Sequence, residues 1–164
     1  MIVKAERIKK YGEVFTPDTL VNEILDKLPQ EVWEEGKTFL DNSCGNGQFL
    51  LHVLIRKIKI GLKPLDALLS IYGADVQPER IKECRNRLLQ EASKHEPITL
   101  NHIKAVMKNI VCVKKFPNGS LDYEFNFNNS IKDKDAEKWL KYFQGRGEEP
   151  EVKSEPREDE IDFS

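Results

Sequence analysis

The residues with the clearest chemical potential lie in the stretch FLDNSCGNGQFLLHVL, residues 39–54. A short apolar run ends in Asp41, a turn of small residues with Gly45 and Gly47 follows, and apolar residues then recur at helical spacing. Glycines at the junction of a strand and a helix let a ligand approach the backbone, and the start of the helix offers free N–H groups. Since a carboxylate at the strand end would repel a phosphate, the stretch predicts a pocket for a nucleotide-like ligand that carries a cationic amine.

Two familiar glycine loops do not fit this turn. The dinucleotide fingerprint G-x-G-x-x-G needs a third glycine where GNGQFL has Leu50, and the G-K-[ST] of a phosphate loop does not follow. The turn therefore predicts a different kind of nucleotide-like ligand.

A second carboxylate, Asp75, ends the apolar run SIYGADV about thirty residues further along the chain. An acid at the end of the second strand of such a fold is placed to accept hydrogen bonds from both hydroxyls of a ribose. Taken alone, Asp75 is equally consistent with an acidic residue at the start of a helix. Its combination with Asp41 and the glycine turn is more specific for a ligand than either part.

The elements that position these residues alternate along the chain. A helix begins at TPDTLVNEILDKL, with Thr16 as its N-cap and Pro17 at its first helical position. The predicted strands are residues 38–42, 70–76, 109–113 and 121–127, and the further predicted helices are residues 47–60, 64–70, 77–95, 98–108 and 133–143. Because the strands are short apolar runs, the pattern predicts an α/β fold with a parallel sheet covered on both faces. In such folds a ligand binds at the carboxyl ends of the strands.

Composition sets broad limits on the class of protein. Of 164 residues, 39% are hydrophobic and 33% are charged, and no apolar run approaches the length of a membrane span. We expect a soluble, cytoplasmic protein without a signal peptide. Its cysteines, Cys44, Cys84 and Cys112, have the spacing of neither a disulfide framework nor a metal site, so no metal is predicted.

Charge divides the chain into a domain, residues 1–145, and an acidic tail, residues 146–164. From residue 148 onward, eight acidic residues stand against two basic ones, and large apolar residues are scarce. Such a segment cannot bury enough surface to offset its ordering entropy, so we expect it to be disordered. In a basic body with an acidic tail, the tail can weaken the binding of nucleic acid by the body. The favoured interpretation is that the tail maintains solubility.

Three blocks together resemble one enzyme family. GEVFTPDTLVNEIL, FLDNSCGNGQFLLHVL and YGADVQPERI, within residues 12–81, are similar to the first half of S-adenosylmethionine-dependent N6-adenine DNA methyltransferases whose cofactor motifs precede the catalytic motif. The resemblance implies a Rossmann-like methyltransferase fold and S-adenosyl-L-methionine as cofactor. The residues that it implies for cofactor binding are Phe15, Thr16, Pro17, Asp41, Asn42, Ser43, Cys44, Gly45, Gly47, Asp75 and Val76.

The same resemblance implies a role for each block. Phe15, Thr16 and Pro17 would help hold the methionine carboxylate, and the glycine turn would wrap the methionine. Asp75 would bind the ribose hydroxyls and Val76 would flank the adenine.

The chain departs from the family in three places. Near Val113, after the third strand, the acid that usually accepts the adenine amine is absent, and no [DNS]-P-P-[YFW] catalytic motif occurs. FNNS, residues 127–130, stands in its place, so Asn128 and Asn129 are the candidates for accepting hydrogen bonds from a target amine. The family's sheet has about seven strands and only about four are predicted here, so we expect a truncated sheet whose fourth strand is an edge. The helix with Trp139, or another chain, would cover that edge.

Several interpretations stay open from the residues alone. The chain is an adenine-specific DNA methyltransferase or its divergent remnant, or a cofactor-binding module without its own chemistry: half of a split enzyme, a regulatory subunit, or a viral or mobile-element protein. A dinucleotide-binding protein is disfavoured by the missing third glycine. The corresponding partners are DNA, and a second copy or a partner protein at the sheet edge, with no membrane.

Three smaller interpretations concern individual side chains. Cys44 is either an activated thiolate at a helix start or, as favoured, inert. RIKECRNRLL, residues 80–89, is a basic helix face for solvent or for nucleic acid, with solvent favoured. Trp139 is predicted to belong to the core.

Overall fold

The computed structural model describes residues 16–120, 127 and 130–154. In chain order, the elements are α1 (Asp18–Asp26), a 3₁₀ turn (Gln30–Trp33), β1 (Phe39–Asp41), α2 (Gln48–Lys59), α3 (Pro64–Leu69), β2 (Ile71–Asp75), α4 (Pro78–Ser93), α5 (Leu100–Asn109), β3 (Ile110–Cys112) and α6 (Asp133–Phe143). The predicted helices and strands within these ranges are confirmed to within two residues at each end. The 3₁₀ turn was not predicted.

The described strands form a parallel sheet in the order β1-β2-β3. Asp41 pairs with Gly73, and Gly73 pairs with Ile110, so the carboxyl ends of β1 and β2 meet at one side of the sheet. The structure therefore confirms an α/β architecture that is compatible with a Rossmann-like fold. The predicted fourth strand, residues 121–127, lies outside the described residues except for Phe127, which belongs to no strand.

The helices that pack on this sheet cover one of its faces. Ile71, Ile110 and Cys112 belong to the main core, which also includes side chains from every described helix. On the opposite face, a small cluster is formed by Ala74, Val111, Val113, Val76 and Phe127. No helical residue of the described chain belongs to that second cluster. The described helices therefore cover one face of the sheet, whereas the sequence predicted helices on both faces.

The start of α1 differs from the prediction by one position. Pro17 is the N-cap, with an extended backbone (φ −60°, ψ 151°), and its carbonyl accepts the first helical hydrogen bond from the Val21 N–H at 3.0 Å. Thr16 therefore precedes the cap instead of forming it. The fixed φ of proline suits either position, which is why the sequence pattern alone does not distinguish them.

The prediction that residues 80–89 form an exposed basic helix face is wrong for Arg80 and Arg85. Arg80 and Arg85 are 3% and 5% exposed. The Arg85 guanidinium donates to the carbonyl oxygens of Ile110 and Met107 and lies 4.9 Å from the centre of the Trp139 ring. The Arg85 guanidinium thus satisfies carbonyl oxygens at the end of α5, so Arg85 is a structural residue of the interior. Trp139 is itself 1% exposed, which confirms its place in the core.

Part of the segment predicted as a tail contacts the domain. Val152 is buried in the main core, Lys82 pairs with Glu149 at 2.8 Å, and Ser154 forms a parallel bridge with Cys112 at the outer edge of β3. Residues 155–164 lie outside the described residues, so the disorder of the tail stays a prediction. Within the described chain, every helix is too short or too polar to cross a membrane.

Candidate cofactor site

The site is built where β1 and β2 end side by side. After Asp41 the chain turns toward β2, and the Cys44 N–H donates to the Ala74 carbonyl at 3.0 Å. The next N–H, that of Gly45, donates to the Asp75 carboxylate at 3.0 Å. The two carboxylates that the sequence singled out are therefore brought to the same end of the sheet, with the glycine turn between them.

Asp75 organises the turn from its position at the end of β2. One carboxylate oxygen accepts the Gly45 N–H and the other accepts the Gln77 N–H, both at 3.0 Å. Each oxygen of an ionised carboxylate has a second lone pair, so Asp75 keeps the capacity to accept two hydroxyl groups. The carboxylate thus joins the glycine turn to the start of α4 and can bind a ligand at the same time.

The surroundings of Asp41 raise the pKa of its carboxyl group. Burial raises the pKa of this carboxyl most strongly, the hydrogen bond from the Ser43 N–H opposes that rise, and the negative charge of Asp75 adds to it. A positive charge placed nearby would stabilise the ionised carboxylate by Coulomb attraction and so offset both the lost hydration and the charge of Asp75. The local electrostatics of Asp41 are therefore compatible with a cationic group nearby, and the amine ligand stays a prediction.

The two glycines of the turn do different things. Gly47 is the N-cap of α2 with φ 87°, and a Cβ placed there would lie 2.6 Å from the Cys84 Sγ. Gly45 has φ 53° and no heavy atom within 4 Å of an added Cβ. The close approach at Gly47 therefore comes from Cys84 of the protein itself, and only Gly45 faces open space. The sequence-based idea that both glycines admit a ligand is corrected for Gly47.

A third glycine, Gly73 in β2, was missed by sequence reasoning. A Cβ on Gly73 would lie 2.7 Å from a methyl carbon of Leu50 and 3.1 Å from the Cys44 Sγ. This residue lets the turn and the first part of α2 pack directly on the sheet. The signal available in advance was an isolated glycine inside a strand, which often marks close approach of another segment.

Cys44 is buried beneath the turn at 5% exposure. Its hydrogen bond with Cys84 and its burial raise the pKa of the thiol well above its ordinary value, and the charges of Asp75 and Asp41 act in the same direction. Since the thiolate is the reactive form, the inert interpretation of Cys44 is supported over the activated one.

The start of α1 reaches the glycine turn through side chains that the sequence did not indicate. Asp18 accepts a hydrogen bond from the Gln48 amide and lies 3.2 Å from the His52 Nε2. Arg87 of α4 donates to the Asn46 carbonyl at 3.1 Å and to Gln48 at 2.8 Å. Asp18 thus gives His52 an acidic partner from 34 positions earlier in the chain. The spacing of Gln48 and His52, four residues apart on one helix face, was the available signal.

The remaining predicted residues occupy varied positions. Asn42 and Ser43 are exposed beside Asp41, while Val76 is half-buried in the second apolar cluster with Val113. Thr16 and Pro17 precede α1. Phe15 and the catalytic candidates Asn128 and Asn129 lie outside the described residues, so their roles stay predictions. The described residues contain no cluster of metal-ligating side chains.

Comparison with known proteins gives one partial relative. Over 79 residues, the chain is 35% identical to the Type II methyltransferase M.VspI of Vibrio sp. (strain 343). The match covers 48% of this chain and 17% of the relative, so this chain spans a small part of the relative's length. No protein-family model matches the chain. No solved structure matches it. The partial identity supports a relationship to methyltransferases.

Proposed function

We propose that this chain binds S-adenosyl-L-methionine and that it is a methyltransferase-like protein directed at adenine in DNA. The observation that carries the proposal is the placement of Asp41 and Asp75 at adjacent strand ends, bridged by the glycine turn. The partial identity to M.VspI supports the same class. A carboxylate that favours a cation, next to one that can accept two hydroxyls, suits an amino acid joined to a nucleoside.

Each of the candidate residues would bind a different part of the cofactor. Asp41 would accept the cationic amine, and Asp75 would accept the ribose hydroxyls while keeping its bonds to the turn. Phe15, Thr16 and Pro17 would lie toward the methionine carboxylate, and Val76 would flank the adenine. The bound cofactor would supply an electrophilic methyl group, and the chain itself would bind and orient it.

For a transfer step, this chain would also need acceptors for the amine of the target base. We assign this role to Asn128 and Asn129 of the segment FNNS, because an amide oxygen can accept a hydrogen bond from an exocyclic amine. DNA is the corresponding partner.

A second candidate function is a cofactor-binding module without its own chemistry, completed by another polypeptide. Its support is the edge of the sheet, since β1 pairs only with β2 among the described strands and Leu40 is 56% exposed. A cleft of ≈ 320 Å³ adjoins this edge. Its lining is mostly apolar and includes Ile24, Leu28 and Phe49, and it also includes Asp41 and Asn42 of the candidate cofactor site. Strand edges with apolar flanks are sites where a further strand adds. A second copy of the chain or a partner protein would cover this edge.

Calorimetry with S-adenosyl-L-methionine tests the binding proposal. We expect measurable affinity in the wild type and at least about tenfold weaker binding in Asp75→Ala, because charge-assisted hydrogen bonds to the ribose are lost. The matched control is Asp66→Ala, which removes an exposed carboxylate from α3. A wild type that shows no heat of binding at millimolar ligand would overturn the proposal.

Transfer of labelled methyl groups to adenine-rich DNA separates the two candidates. Activity that is lost in Asn128→Ala or Asn129→Ala, with cofactor affinity retained, supports catalysis by this chain. Cofactor binding without transfer supports the module, and sedimentation equilibrium then shows whether a second copy is bound.

A further inference from the structure

Four side chains from three helices meet at the glycine turn, and we call them the turn-support network: Asp18, Gln48, His52 and Arg87. The link begins on α4, where the Arg87 guanidinium donates to the Asn46 carbonyl of the turn at 3.1 Å and to the Gln48 side-chain oxygen at 2.8 Å. A planar guanidinium that binds two acceptors fixes their relative positions better than a single flexible donor does.

The link continues from α2 to α1. The Gln48 amide nitrogen donates to the Asp18 carboxylate, and the same carboxylate lies 3.2 Å from the His52 Nε2. The hydrogen bond with His52 is the main cause that lowers the pKa of Asp18, and Gln48 and the charge of Arg87 lower it further. Asp18 directly follows Thr16 and Pro17, so the network ends at the first predicted cofactor block.

A second contact from α4 supports the same turn. Cys84 lies one helical turn before Arg87 and places its Sγ where a side chain at Gly47 would otherwise be. The turn is therefore contacted by Cys84 and Arg87 of α4 and by Asp75 of β2. These contacts join the turn to α4 and β2, and the Asp18 contacts add the start of α1.

We propose that the turn-support network is a positioning device that holds the start of α1 and the glycine turn at a fixed separation before the cofactor arrives. The inference rests on the proposed function, because the two segments are the two parts of the predicted methionine site. A site that is already ordered loses less conformational entropy when the ligand binds, so the network raises affinity without touching the cofactor. Asp18, Gln48, His52 and Arg87 are positioning residues in this proposal.

The chain contains a matched control for the α1 end of the network. At the other end of α1, Asp26 pairs with Arg56 of α2 at 2.7 Å, so both aspartates join the same two helices. Calorimetry should show Asp18→Ala weakening S-adenosyl-L-methionine binding by about fivefold, with less than about a twofold change in Asp26→Ala. Equal affinities in these two variants, with similar thermal midpoints, would overturn the positioning role.

A second readout needs no cofactor. Opening of the turn exposes Cys44 and Cys84 but not Cys112, which is buried in β3. In Arg87→Met, we expect a maleimide to label Cys44 and Cys84 about tenfold faster than in the wild type, with Cys112 unchanged, as peptide mass mapping would report. Uniform acceleration at all three thiols would indicate global destabilisation and would contradict the proposal.

The two readouts separate the inference from the proposed function. If the wild type does not bind the cofactor but Arg87→Met selectively accelerates the two labelling reactions, the functional proposal fails and the network's support of the turn stands. If the wild type binds and neither Asp18→Ala nor Arg87→Met changes affinity or selective labelling, the network has no positioning role.

Discussion

The glycine turn and the edge of β1 lie a few residues apart, yet they differ in how completely they are contacted. At the turn, N–H groups are bound by Ala74 and Asp75, and the Cys84 Sγ fills the space that a side chain at Gly47 would occupy. At the edge, Leu40 presents a largely exposed side chain next to an apolar cleft. A segment with contacts on several sides opens rarely and is sensitive to substitution. An open strand edge is less sensitive to substitution and can pair with another chain. The difference separates the anchored turn of the proposed cofactor site from an edge that has one strand partner among the described residues.

Substitution at the turn should have the largest effect. Gly47→Ala is expected to lower the free energy of unfolding by about 3 kcal/mol, because it combines a left-handed backbone with a contact that overlaps the Cys84 Sγ. Urea denaturation measures the change. Gly45→Ala is the control, with an expected loss of about 1 kcal/mol from backbone conformation alone. The double variant Gly47→Ala/Cys84→Ala should regain part of the loss, and equal losses at Gly45 and Gly47 would contradict this account of the turn.

The contact between the turn and the sheet should be the next most sensitive. Gly73→Ala is expected to cost about 1–2 kcal/mol, since the added methyl group meets Cys44 and a Leu50 methyl carbon that can move. Urea denaturation measures this loss too, and Gly119→Ala, at a loop glycine with open space around it, measures backbone strain without a packing contact. A neutral Gly73→Ala would mean that the turn is not packed on β2 as described.

Substitution of Asp41, at the end of β1, should affect the stability of the free protein and its affinity for the cofactor in opposite directions. Because the folded state raises the pKa of Asp41, its ionised form destabilises the fold above that pKa, and this cost is relieved as the pH falls through it. Asp41→Asn should therefore slightly stabilise the free protein at neutral pH, with a benefit that shrinks in acid, while it weakens cofactor binding. Thermal unfolding measured across pH 4–8 tests the sign, and a benefit that grows in acid would contradict it.

The edge of β1 should show the smallest effect on stability. Leu40→Lys is expected to change the free energy of unfolding by less than about 0.5 kcal/mol, because the side chain is mostly exposed. Its effect should appear in sedimentation instead, as loss of any self-association that the wild type shows. Lys59→Leu, on the exposed end of α2, is a control for a general change of surface charge and hydrophobicity.

Much of this architecture was predictable from local patterns. Short apolar runs located β1, β2 and β3, and Pro64 and Pro78 marked the starts of α3 and α4. The convergence of Asp41 and Asp75 followed from a rule of parallel sheets, because the ends of adjacent strands meet.

The contacts that were missed all join residues distant in sequence. Cys84 approaches Gly47 across 37 positions, and Arg87 reaches Asn46 across 41 positions. The burial of Arg85 was equally hidden, because its charge predicts solvent exposure while its actual partners are backbone carbonyls of α5 and β3. Such carbonyls have no signature in the residue types of the sequence.

The bridge between Ser154 and Cys112 has a consequence for how copies of this sheet can assemble. Ser154 occupies the outer edge of β3 at its carboxyl end, whereas β1 has no second strand partner among the described residues. A sheet with two open edges can add copies at both and grow into a fibre, but a sheet with one open edge can only pair with another such edge. A pair of chains joined at β1 would leave the Cys112 position of β3, which Ser154 already occupies, unavailable for a further strand.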